Sequence, residues 1–345
     1  MMVLGTDAHK RAHVAAGVDF RSGEVVGDVR APVSREGFGR LVKWARGLDR
    51  ERVWAIEDCR HVSGSFERFL LERGERIVRV APRLMGQARR GGRERGKSDV
   101  IDAVAVARAA LREGLQALPT ARSDGPELEI RLLVDHRERL VRQRTRLGND
   151  LLWHLHDLWP ELRLPARALR SHQRLAQLAR RLARAEQTAR VQIARDELHR
   201  IVELTRAINR LQAQLAPMVA ATAPQLLTEP GCSVLTAAKL IGEIAGPDRF
   251  RTDAQLARCA GVAPIPASSG RRDRHRLDRG GNRQLNAALH RLAINKGRLC
   301  PQTAAYLARK QAEGKTRMEA LRCLKRHLAR RILQLLKTPA PTPPT

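Results

Sequence analysis

Val3-Leu4-Gly5-Thr6-Asp7 is the stretch on which the reading of the fold turns. A run of small and apolar residues closed by a carboxylate describes a buried strand that delivers its last side chain to a sheet edge. Val53-Trp54-Ala55-Ile56-Glu57-Asp58 repeats the pattern further along the chain. In Lys97-Ser98-Asp99-Val100-Ile101-Asp102-Ala103, Ser98 is placed to cap a helix whose first turn carries Asp99 and Asp102 on one face. Acids at two strand tips and on one helix face can converge on a single point. Converging carboxylates repel one another unless a divalent cation neutralises them, and hard oxygen ligands suit Mg²⁺. Asp7, Glu57, Asp99 and Asp102 are therefore the candidate metal-binding and catalytic acids, with Mg²⁺ as the expected cofactor.

Outward from these acids, residues 2–7, 13–19 and 24–30 predict three strands joined by tight polar turns, of which Arg21-Ser22-Gly23 is the clearest. Ser34 opens a predicted helix that ends near Ala45, followed by a strand at 52–57 and a helix at 64–73 closed by Gly74. Ile77–Val80 is the fifth strand, and the helix capped by Ser98 extends to about Arg112. Three strands, then strands alternating with helices, is the order of a ribonuclease H-like fold. That fold carries acids on its first strand, its fourth strand and its last helix, where these acids fall.

The composition narrows the partner. The 345 residues include 65 Lys and Arg against 36 acids, a formal net charge of +29. Such an excess favours a polyanion, because each phosphate neutralised releases counterions. No apolar run reaches spanning length and the N-terminus has no signal-peptide layout, so a cytoplasmic protein with no membrane association is expected. Five scattered cysteines form no C-x-x-C pair, which argues against a zinc site or a disulfide framework. Aromatic residues are 3% of the chain, too few for stacking platforms, so grip on nucleic acid is expected to be electrostatic.

Arg83 to Lys97 is rich in Gly and Arg and adjoins the acidic helix; Arg89, Arg90, Arg93, Arg95 and Lys97 are candidate phosphate contacts, the bland alternative being a solvated loop. From about 127 to 216 the pattern turns helical. Leu133, Leu140 and Leu147 repeat every seven residues and Leu151, Leu155 and Leu158 continue the stripe until Pro160 and Pro165. A second long helix carries Ile201, Leu204, Ile208, Leu211 and Leu215, and Pro217 and Pro224 are expected to end it. This is a coiled-coil seam, compatible with dimerisation or with a hairpin inside one chain. Beyond it, Pro230-Gly231-Cys232-Ser233 leads into an amphipathic helix, Gly246-Pro247-Asp248-Arg249-Phe250 forms a turn, and Asp253 is placed to cap a helix to Ala260. Helices follow at about 284–295 and 316–336, then a proline-rich tail. Ser268 and Ser269 precede Gly270 and face Arg271, Arg272, Arg274, Arg276, Arg279 and Arg283, which invites a nucleophile among phosphate-binding arginines. Taken alone, the pattern is better explained by loop serines making turn hydrogen bonds.

Together these motifs resemble the DEDD transposases of bacterial insertion sequences, the IS-one-ten recombinases. The resemblance rests on the acids above, and in the last third on Pro230-Gly231, Gly242-Glu243-Ile244, Asp248-Arg249-Phe250, Ala260-Gly261-Val262-Ala263-Pro264, Ser268-Ser269-Gly270, Gly281-Asn282-Arg283-Gln284-Leu285 and Gly314-Lys315. It implies an α/β domain at 1–125 similar to the resolvase RuvC, a helical coiled-coil connector at 126–220, a mainly helical transposase domain at 221–337 and a disordered tail at 338–345. It also implies that Ser269, with Ser268 one residue away, is a nucleophile acting with the four acids. Implied partners are double-stranded DNA at element ends and target, and a structured guide (bridge) RNA. The resemblance further implies a homodimer assembling into a tetramer, in the bacterial cytoplasm near the nucleoid. One rival reading is a RuvC-like metal-dependent junction nuclease with no serine chemistry. Another is a non-enzymatic nucleic-acid-binding protein whose acids only cap strands and helices.

Overall fold

β1 (Met2–Ala8) is buried along its whole length, as a strand flanked on both edges and covered on both faces must be. A computed structural model describes residues 1–57, 60–82, 84–85, 98–122, 125–165, 167–266, 275–276, 278 and 280–338. The chain packs as two units. The first joins Met1–Gly125 to Thr228–Cys232 and Glu243–Thr345; the second comprises Pro126–Leu227 and Ser233–Gly242.

In the first unit, β1 pairs antiparallel with β2 (Ala12–Asp19), which pairs antiparallel with β3 (Val25–Pro32). On its other edge β1 runs parallel to β4 (Arg52–Glu57), and β4 parallel to β5 (Ile77–Val80). The resulting order is β3-β2-β1-β4-β5, consistent with the ribonuclease H-like expectation. α1 (Arg35–Leu48), capped by Ser34, and α2 (Arg60–Leu71) cover one face with Phe38, Leu41, Phe66 and Leu70 against Leu4, Trp54 and Ile56. α2 starts earlier than the predicted residue 64, with the Ser63 hydroxyl inside it donating to Glu67 at 2.6 Å. The opposite face is covered by α3 (Asp99–Glu113), whose Val106, Ala107 and Ala110 pack on Val3, Val53 and Val78.

The small residues of α3 let it lie close. A Cβ at Gly5 of β1 would come within 2.0 Å of the Ala103 carbonyl, so glycine is required where helix and strand backbones touch.

The C-terminal part of this unit is helical, and side chains from it lean on the segment after α3. Buried Arg249 donates to the Thr120 carbonyl at 2.9 Å, and Arg258 meets Glu113 at 2.6 Å. The helix Asp253–Cys259 is capped by Thr252, not by Asp253: the Thr252 hydroxyl accepts from Gln255, while Asp253 accepts from Arg326 and Arg330 instead. The helices Arg283–Leu299 and Arg317–Lys337 lie where expected. Between them is the helix Pro301–Ala312, which has no apolar stripe to announce it: Thr303 is its one buried residue.

The second unit contains α4 (Pro126–Leu158), α5 (His172–Arg184), α6 (Ala189–Thr222) and most of α7 (Val234–Ile244). Pairs Arg137–Gln212, Arg144–Thr205 and His154–Glu197 run in opposite order along α4 and α6, so the two helices are antiparallel partners within one chain. Leu151, Leu155, Leu175, Leu178, Leu182, Leu198 and Ile201 form their core. Leu133, Leu140 and Leu147 are only half-buried, whereas Ile130, Val134 and Gly148 are buried. Contrary to expectation, Pro217 does not end α6. It is exposed within a helix that continues to Thr222, with Leu215 and Val219 buried on either side holding the helix in place where one N–H is missing. Among the described residues, no helix is long and apolar enough to cross a membrane.

Candidate active site

The acids are positioned by backbone geometry. Thr6 of β1 lies opposite Ile56 of β4 in a parallel pair, so the next residues, Asp7 and Glu57, come side by side where the strands end. α3 begins over this edge. The Ser98 hydroxyl accepts from the Ile101 amide at 3.2 Å and the Ser98 carbonyl from the Asp102 amide at 3.0 Å, which sets Asp99 and Asp102 in the first turn. The close Gly5–Ala103 approach fixes the height of that turn above the sheet.

Asp7 and Asp99 are brought together, and His9 joins them. His9 Nε2 lies 2.8 Å from Asp7 Oδ2 and 3.4 Å from Asp99 Oδ1, while Arg30 of β3 stands 3.3 Å from Asp99 Oδ2. One ligand atom each from Asp7, His9 and Asp99 falls within 4.8 Å of the others, the group among the described residues able to share a metal ion. Asp102 and Glu57 lie outside that three-atom group. Asp102 is nevertheless near enough for its charge to act on Asp7. Burial pushes the Asp7 carboxyl above the usual carboxylate range; His9 opposes this, and Asp102 and Asp99 add to it. His9 was missed in the sequence. The signal was present as Asp7-Ala8-His9, because residues two apart at a strand end face the same side.

The donor chemistry fits a divalent cation: carboxylate oxygens gather at one edge, one of them desolvated and destabilised by its neighbours. Such an ion supplies positive charge to polarise a phosphoryl group and stabilise a leaving oxygen.

Ser268, Ser269, Arg271, Arg272, Arg274 and Arg279 lie outside the described residues, as do Arg89, Arg90, Arg93, Arg95 and Lys97. Arg276 and Arg283 are described and exposed. The strands Ile265–Pro266 and His275–Arg276, on either side of residues 267–274, pair antiparallel. Just before them the backbone is clamped. Gly261 has φ +63 and abuts Gly281, at which a Cβ would come within 2.1 Å of the Gly261 nitrogen. Asn286 donates to the Ala260 and Gly261 carbonyls at 2.8 and 3.1 Å, and buried Lys325 donates to Asn286 at 2.8 Å.

Both the acid-bearing segment and the C-terminal segment match known proteins. The family model DEDD_Tnp_IS110, described as a transposase, matches residues 4–160. The Transposase IS116/IS110/IS902 family model matches residues 223–308. The 43.6 kDa protein of insertion element IS110 from Streptomyces coelicolor is 38% identical over 114 residues, 32% of this chain and 28% of that protein. The 44.8 kDa protein of insertion element IS116 from Streptomyces clavuligerus is 26% identical over 98% of this chain and 96% of its own length. The 42 kDa protein of IS900 from Mycobacterium paratuberculosis is 28% identical over 83% of this chain and 82% of its own. Among solved structures, T. thermophilus RuvC in complex with Holliday junction substrate aligns with 35% of this chain and 99% of its own, at 17% identity and a TM-score of 0.29. The acid-bearing sheet and the C-terminal helices thus fall within two models of one family, and full-length relatives from insertion elements span both: the chain belongs to the IS110 family of transposases.

Proposed function

We propose that the protein cuts and rejoins DNA strands at the ends of its insertion element and at the target, with Mg²⁺ held by Asp7, Glu57, Asp99 and Asp102 and with Ser269 as nucleophile. The observation that carries the reading is the gathering of Asp7 and Asp99 at one sheet edge, with the Asp102 charge acting on Asp7. Acids so arranged repel one another, and a divalent cation relieves that repulsion while serving phosphoryl transfer.

In the proposed reaction the Ser269 oxygen bonds to phosphorus as the bond from phosphorus to the departing strand breaks. The serine proton is released and the departing oxygen ends as a hydroxyl. Rejoining is the reverse step, with the hydroxyl of the new strand displacing Ser269, so the bond energy is conserved in the phosphoserine. Arg271, Arg272, Arg274, Arg276, Arg279 and Arg283 offset charge on phosphate oxygens, and Arg89, Arg90, Arg93, Arg95 and Lys97 hold the backbone of the nucleic acid. Sequence choice is delegated to a structured guide RNA that pairs with both DNAs, which suits a chain of net charge +29 with 3% aromatic residues. The division into a RuvC-like domain at 1–125, a connector at 126–220 and a serine-bearing domain at 221–337 belongs to this reading. So do the homodimer, its pairing into a tetramer, and work at the bacterial nucleoid.

The test is a denaturing-gel assay for a covalent protein–DNA adduct, using labelled element-junction DNA, RNA transcribed from the element flank, and Mg²⁺. An adduct lost in both Asp7→Ala and Ser269→Ala but kept in Ser268→Ala supports the reading. Cutting without an adduct, unaffected by either serine change, leaves a metal-dependent junction nuclease in its place.

A further inference from the structure

We propose that His9 is an additional metal ligand of the acid site, and that its imidazole tilts the site toward a first-row transition cation such as Mn²⁺ over Mg²⁺. The inference rests on the metal-dependent reading of that site and deepens it.

The geometry carries the argument. Cis ligands of an octahedral ion with bonds of about 2.1 Å stand about 3 Å apart. His9 Nε2 lies 2.8 Å from Asp7 Oδ2 and 3.4 Å from Asp99 Oδ1, which brackets that spacing. The three atoms form the group within 4.8 Å, closer than either Glu57 or Asp102 comes to joining it. One backbone contact and one ion pair set this arrangement. The His9 amide donates to the Ala12 carbonyl at 3.1 Å, closing the turn between β1 and β2. Arg30 engages Asp99 Oδ2 and leaves Oδ1 on the His9 side.

The chemistry gives the selectivity. Carboxylates alone satisfy Mg²⁺, which binds nitrogen poorly and keeps its waters; a mixed nitrogen and oxygen set raises affinity for first-row transition ions. Mn²⁺ accepts the same octahedral carboxylate surroundings and gains from the nitrogen. A site in which a histidine nitrogen stands within 3.4 Å of an oxygen from each of two aspartates is therefore selective in a way that four acids are not.

The experiment uses the full chain and Mn²⁺ as its probe. Binding is followed by electron paramagnetic resonance of free and bound Mn²⁺, and the bound ion is then examined for ¹⁴N coupling by electron spin echo envelope modulation. Wild type, His9→Ala and Asp7→Asn are compared, with circular dichroism to establish that each is folded. The expected result is ¹⁴N coupling in wild type that disappears in His9→Ala. That variant should bind Mn²⁺ about tenfold more weakly and Mg²⁺ about as well as wild type. Bound Mn²⁺ without ¹⁴N coupling in wild type, lost in Asp7→Asn, overturns the role of His9 and leaves the carboxylate site standing. Coupling that persists in His9→Ala assigns the nitrogen elsewhere and also overturns it. Mn²⁺ binding unchanged in Asp7→Asn, or no binding by wild type, removes both the inference and the metal reading beneath it.

Discussion

Two clusters of charge among the described residues, one in each unit, are built in opposite ways. In the second unit Lys239, 1% exposed, donates to Asp135 at 2.6 Å and Glu138 at 2.9 Å, and Arg131 stands 3.7 Å from Asp135. Two cations meet two carboxylates, and the cluster ties α7 to α4. In the first unit Asp7, Asp99 and Asp102 gather with Glu57 alongside, against Arg30 and the imidazole of His9. There burial and the charges of Asp102 and Asp99 hold Asp7 above its ordinary range, with His9 opposing them. A balanced buried cluster works as a packing device. A cluster of acids that raise one another's proton affinity, inside a chain of net charge +29, keeps negative charge where folding alone would discard it. Perturbed carboxyls of this kind mark chemistry more often than packing.

The contrast is broken or sharpened by four measurements. The largest effect belongs to Asp7→Asn, which should reduce DNA strand cleavage about a thousandfold, about 4 kcal/mol of transition-state stabilisation. The metal-free variant should melt no lower than wild type, because a neutral amide ends the repulsion. A large fall in its melting temperature would mean that the acid site is a structural cluster like the other. Lys239→Met should behave in the opposite way, losing about 3 kcal/mol in denaturant unfolding because two partly solvated carboxylates lose their buried cation while Arg131 stays beside Asp135. A cost below about 1 kcal/mol would show those acids to be already solvated.

The third measurement is the pH dependence of unfolding. His13 on β2 is fully buried among Phe38 and Phe66, and burial lowers its pKa from 6.5 to about 4. The unfolded chain binds the proton more readily between those values. Stability from the neutral ring is therefore complete above pH 6.5 and is lost as pH falls toward 4, by about 3 kcal/mol. His13→Leu should flatten that stretch of the curve; an unchanged curve would assign the acid sensitivity to other groups. The smallest effect is expected for Gly5→Ala, whose methyl would press on the Ala103 carbonyl and lift α3 from β1. A loss of about 2 kcal/mol is expected, together with weaker metal binding, since Asp99 and Asp102 ride on that helix. Loss of stability with metal affinity intact would show that the helix start does not depend on the contact.

Much of the first unit was legible because its signals are local. Apolar runs ending in Asp7 and Glu57 marked two strands, and Ser98 before Asp99 and Asp102 marked the helix start. Other features depend on partners far away in the chain. The predicted Asp253 cap failed because two arginines of the last helix claim that carboxylate and Thr252 is free to cap in its place. Pro217 is a stop by local rules, yet buried neighbours on both sides carry the helix through it. The heptad leucines Leu133, Leu140 and Leu147 look like a seam in sequence, but the line that α4 buries is set by the helix beside it.

The sequence by itself determined which residues form strands and helices around the site, and that carboxylates stand at their ends. Strand period, helix caps and charge are properties of neighbours a few residues apart, so a single chain read in order displays them. Only the tertiary structure decided that Asp7 and Asp99 share one point with His9, and that Gly5 lets a helix descend onto β1. It also decided that Arg30 faces the acids from β3. Distances between residues remote in sequence depend on how sheet and helix stack, and that stacking is settled by the whole core at once.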